Sequence, residues 1–103
     1  MTVLERKKAV PFQPNYIRLL PPGEVIAEKL FELGIDESEF ARRCELPLET
    51  IRQLLKAEIP LTKETADKIE KVTWMNAKGM MRLEIRYRND LTFLQQNPDY
   101  PVV

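Results

Sequence analysis

Proline does most to limit what this chain can fold into, because it fixes φ, lacks an amide donor and disrupts the interior of a helix or a central strand. The 8 prolines are unevenly spread. Pro11, Pro14, Pro21 and Pro22 crowd the start, Pro47 and Pro60 interrupt the middle, and Pro98 and Pro101 fall at the end. The intervals between them are free to be helical, and their apolar residues recur at helical spacing.

Five helices are predicted. The first starts at Pro22, whose φ suits a first turn, and stops at Gly34, with Ile26, Leu30 and Leu33 as its buried stripe. Asp36 and Glu39 have the spacing of a capping box and open a second helix through Cys44, with Phe40, Ala41 and Cys44 facing inward. After the Glu45-Leu46-Pro47 interruption, Leu48, Ile51, Leu54 and Leu55 mark a third. Thr62 caps a fourth lined by Ala66, Ile69 and Val72. Asn76 opens a long fifth, reaching about residue 96, with Met80, Leu83, Tyr87, Leu91 and Leu94 on one side. No run alternates as a half-buried strand would, so the class is all-α. At 103 residues the core is small, and dimerisation would add stability.

Composition narrows the chemistry. The chain has no His, which removes imidazole general bases, the Ser-His-Asp and Cys-His nucleophiles and most zinc sites. A binding protein is therefore expected, not an enzyme, with no cofactor and no metal. The lone Cys44 forms no internal disulfide and reads as a small core residue. Nothing resembles a signal peptide or a membrane span, so a cytoplasmic location is expected.

Lys and Arg number 16 and so do Asp and Glu, which leaves no net charge. A nucleic-acid binder usually carries a basic excess. By segment, however, residues 1–20 hold Arg6, Lys7, Lys8 and Arg18 against Glu5 alone. Residues 78–90 hold Lys78, Arg82, Arg86 and Arg88 against Glu84 and Asp90. Between them, residues 36–57 carry one more acid than base.

The second and third predicted helices, joined by about three residues, have the form of a helix-turn-helix unit. Gly34-Ile35-Asp36-Glu37-Ser38-Glu39-Phe40-Ala41-Arg42-Arg43, then Thr50-Ile51-Arg52-Gln53-Leu54-Leu55, resemble the Xre/Cro-like family. Pro22-Gly23-Glu24 ahead of the motif and Ile59-Pro60-Leu61-Thr62-Lys63-Glu64-Thr65-Ala66 after it look more closely like the HigA (VapI) branch of antitoxins. Phe12-Gln13-Pro14-Asn15-Tyr16 is similar to that branch's Phe-x-Pro-Asn-Tyr arm, and Leu83-Glu84-Ile85-Arg86-Tyr87-Arg88 to its Leu-Glu-Ala-Asn-Tyr-Arg element. Residues 1–21 read as a largely irregular arm, 22–96 as a five-helix domain with its motif at 36–57, and 97–103 as a tail. The resemblance, which covers roughly residues 12–91, implies a lambda-repressor-like fold for that domain. It also implies a homodimer on a palindromic double-stranded DNA operator, and a RelE-like toxin as protein partner.

Several departures fall on the motif. Where the family usually has Gln, a turn Gly and a Ser or Thr, this chain has Glu37, Glu45 and Pro47. Glu45 must either take left-handed backbone geometry, at a steric cost of roughly 1 kcal/mol, or the turn must differ. The candidate DNA-contacting residues are Leu48, Glu49, Arg52, Gln53 and Lys56 on the third helix. Arg suits guanine, Gln adenine and Glu the cytosine amino group. Arg42 and Arg43 would position phosphates, or form ion pairs with Glu39 and Glu45. Thr50, Ile51 and Leu55 read as packing residues. Met75, Met80 and Met81 read first as core filling, and Trp74 as either a dimer anchor or a closure of the core. A second function follows from the acidic motif: a diverged protein-interaction module that no longer recognises DNA.

Overall fold

The computed structural model describes residues 16–102, and the basic arm residues Arg6, Lys7 and Lys8 lie outside them. Five helices follow in order: α1 Pro22–Leu33, α2 Glu37–Cys44, α3 Leu48–Leu55, α4 Lys63–Thr73 and α5 Ala77–Gln96. The anticipated starts are present. Asp36 Oδ1 accepts from the Glu39 amide at 2.8 Å, Thr62 Oγ1 from Thr65 at 3.2 Å and Asn76 Oδ1 from Gly79 at 2.7 Å. Each cap satisfies one amide that its helix leaves without an internal acceptor.

The ends of α1 to α4 share one device. At Gly34, Glu45, Ala57 and Trp74 the backbone turns left-handed, with φ of 70°, 58°, 62° and 66°. After α1, Gly34 N–H donates to Phe31 and Ile35 N–H to Leu30, the paired bonds of a Schellman stop. Glu45 with Leu46 repeats this after α2, and Ala57 with Glu58 after α3. Trp74 closes α4 through a single bond to the Glu70 carbonyl, 2.8 Å. Only one of the four positions is glycine.

The core joins Ile26 and Leu30 of α1, Phe40, Ala41 and Cys44 of α2, Ile51 and Leu54 of α3, Ala66 and Ile69 of α4, and Ala77 and Met80 of α5. Leu61, between α3 and α4, completes it. Leu33 departs from its expected place and is half exposed. The reversal at Gly34 brings Ile35 against the core in its stead. Along α5 only Met80 of the anticipated stripe is buried, and Leu83, Tyr87, Leu91 and Leu94 are half-buried. At 20 residues α5 is longer than the α1 and α4 helices it packs on. Glu84 is buried instead, paired to Arg88 at 2.6 Å.

One backbone approach ties α1 to the motif. A Cβ on Gly23 would lie 2.3 Å from the Leu54 carbonyl oxygen and 2.8 Å from that of Leu55. Only glycine lets the first turn of α1 sit against the end of α3. Tyr100 and Pro101 fold back, with Tyr100 edge-on to Phe93 at 5.1 Å and the Ile17 amide donating to Pro101 at 2.9 Å.

Candidate nucleic-acid interface

α2, the Glu45–Pro47 turn and α3 form the helix-turn-helix unit, and the core holds it from behind. Phe40 and Cys44 anchor α2, while Ile51 and Leu54 anchor α3. The turn keeps the left-handed geometry that glycine would adopt freely, with Glu45 at φ 58°, ψ 46°. Pro47 precedes α3 and supplies no side-chain cap.

These anchors decide what α3 presents outward. Glu49 and Arg52 on α3 are exposed, as is Lys56 just past its end, and Gln53 is half-buried. Leu48 belongs to the other side, half-buried and packed against the core, so a base-edge contact is the weaker use of its side chain. Thr50 and Leu55 are likewise half-buried, and Ile51 is fully buried.

The charged groups are organised by carboxylates. Arg42 donates from Nε to Glu39 Oε1 at 3.2 Å and from Nη2 to Oε2, and Arg43 Nε reaches the same Oε2 at 2.6 Å. Those bonds, Arg42's first and then Arg43's, hold the Glu39 carboxyl below its ordinary range. The Glu39 pair in turn raises Arg42 above its ordinary value. Of the two partners foreseen for these arginines, both choose Glu39 over Glu45. A further pair crosses between helices: Arg52 Nε donates to Glu37 Oε1 at 3.2 Å, linking the first turn of α2 to the outer face of α3. The linear sequence hides this link, because the residues are 15 apart and no periodic pattern couples them.

Behind this face the Cys44 thiol is buried, and burial pushes its pKa up to about 11, so it is a packing group and not a nucleophile. Met80 is buried and Met75 and Met81 pack against the core, as core filling requires. Trp74 is 90% exposed and does not close the core. Among the described residues no helix is long and apolar enough to cross a membrane.

No protein-family model matches the sequence. An uncharacterized HTH-type transcriptional regulator of Escherichia coli strain K12, YddM, is 35% identical over 68 residues, covering 60% of this chain and 72% of its own. The chain belongs to the helix-turn-helix-type transcriptional regulators. The regulator's fold is also that of solved antitoxins. A putative antidote protein of a Nostoc punctiforme plasmid maintenance system superposes with TM-score 0.75 at 23% identity, covering 82% of this chain and 92% of that one. A HigA-family antidote protein from Coxiella burnetii gives 0.71 at 22%, covering 80% and 89%. The Pseudomonas aeruginosa antitoxin HigA, solved with the higBA promoter, gives 0.73 at 20%, covering 79% and 89%.

Proposed function

We propose that this regulator is a HigA-like antitoxin that represses its own transcription, binding a palindromic operator as a homodimer and neutralising a RelE-like toxin. The observation that carries the reading is the outward face of α3, with Glu49, Arg52 and Lys56 exposed on an α2-turn-α3 unit whose inner side is committed to the core. The fold shared with an antitoxin solved on promoter DNA supports it. One α3 enters the major groove per half-site, Arg52 and Gln53 read base edges, and the dimer sets the half-site spacing at one helical turn or a multiple. Repression is occupancy, with no reaction step, and a cytoplasmic protein suffices for it.

A mobility shift with the duplex upstream of the chain's own reading frame tests the DNA half. A retarded dimer complex is expected, lost at raised salt. Absence of a shift at low salt overturns it. For the toxin half, co-expression of this chain is expected to relieve growth arrest by the product of the adjacent reading frame, and unrelieved arrest overturns it.

A second reading draws on the pairing itself. Glu39 holds both Arg42 and Arg43, and Glu37 holds Arg52, so three of the motif's four cations already have carboxylate partners. A protein-interaction module that has lost DNA recognition fits that arrangement. It predicts a co-purifying protein partner and no shift with any duplex.

A further inference from the structure

The Glu37–Arg52 pair differs from the other ion pairs of the motif. The Glu39 pairs lie within one helix, whereas Glu37 stands in the first turn of α2 and Arg52 on α3. α2 is a fixed platform, its start capped by Asp36 and its body anchored by Phe40 and Cys44. Both side chains are about half exposed, at 50% for Arg52 and 47% for Glu37, so the pair adds little to stability. Its consequence lies in what it does to the guanidinium.

Arginine carries five donors in a planar fork. With Nε donating to Glu37, the Nη1 and Nη2 edge is left for a second planar acceptor, and guanine O6 with N7 offers two parallel acceptors to such an edge. The carboxylate also cancels the charge that would draw Arg52 to any phosphate. Directional donors remain while sequence-independent attraction falls.

We propose that Glu37 is the positioning residue for Arg52, holding its guanidinium so that it reads one guanine per half-site while withholding it from phosphates. This rests on the DNA-binding reading of the motif. It assigns the acid a role in discrimination, where an acid facing DNA would otherwise only repel.

The test uses the full chain and a library of duplexes randomised over the operator length. Wild type, Glu37→Gln, Arg52→Ala and the double variant are compared by selection, then by titration of the enriched duplex and of its single-base variants at several salt concentrations. Wild type is expected to prefer guanine at one position per half-site, and Arg52→Ala to lose about 10-fold or more of that preference. Glu37→Gln is expected to lose about 3-fold or more of it while binding unrelated duplexes more tightly, with the salt slope steeper by about 1. In the double variant, Glu37→Gln is expected to have no further effect on the guanine preference. If Glu37→Gln tightens all duplexes equally and keeps the guanine preference, the carboxylate only repels DNA and the positioning role is overturned. If wild type enriches no duplex, the DNA-binding reading fails, and this proposal with it.

Discussion

Replacing Glu45 by glycine should stabilise the protein. Glu45 holds φ 58°, ψ 46° at the end of α2, where a side chain's Cβ crowds the following carbonyl at a cost of about 1–2 kcal/mol. Glycine removes that cost but carries more backbone entropy in the unfolded chain, worth about 0.4–1 kcal/mol. The Glu45 side chain is exposed, and both nearby arginines turn to Glu39, so little contact energy is lost. The balance is a gain of roughly 0.5–1 kcal/mol, or about 2–8 °C in melting temperature for a domain of this size. Thermal and urea unfolding, followed by helical circular dichroism at a fixed protein concentration, measure it. Glu45→Ala isolates the charge, because it keeps the strained Cβ, and it should change little. Glu45→Asn should fall between the two, since Asn tolerates the left-handed region. A melting temperature for Glu45→Gly at or below that of Glu45→Ala would refute the strain argument.

Gly23→Ala should destabilise by about 1–3 kcal/mol, because the new methyl meets the Leu54 and Leu55 carbonyls and backbone cannot yield as a side chain would; a lowered urea midpoint checks it. Its failure to destabilise would show that α1 can slide away from α3. The Glu39 carboxyl is depressed in the folded state, so its contribution is present above its ordinary value of 4.5 and is lost as pH falls below that. Glu39→Gln should therefore flatten the acid side of the stability profile while costing most near neutral pH, as urea midpoints across that range would reveal. Cys44, with its pKa raised to about 11, should resist alkylation at mildly alkaline pH in the native protein and react at once in denaturant. Equal rates in the two states would contradict its burial.

The helices were legible because their signals are local. Asp36, Thr62 and Asn76 cap where their side chains meet an amide three residues on, and the apolar spacing of α2, α3 and α4 maps directly onto one buried face. α5 was legible in extent but not in burial, since its spacing cannot say where the neighbouring helices end. Leu33 leaves its helical stripe for a similar reason, because the reversal at Gly34 passes its place to Ile35. Local spacing does not place Trp74, and its 90% exposure excludes closure of the core.

The candidate interface divides along the same line. Side-chain type and helical register are properties of neighbouring residues, so the all-α class, the helix pair on either side of the Glu45–Pro47 turn, the outward Glu49, Arg52 and Lys56, and the acid balance around them are readable from the chain itself. Which acid holds which arginine depends on how separate helices cross. The structure alone decided that Glu39 binds both Arg42 and Arg43 within α2, that Leu48 turns toward the core, and that Glu37 reaches from α2 to Arg52 on α3. Local spacing specifies a face, whereas a contact across 15 residues exists only once core packing has fixed both helices.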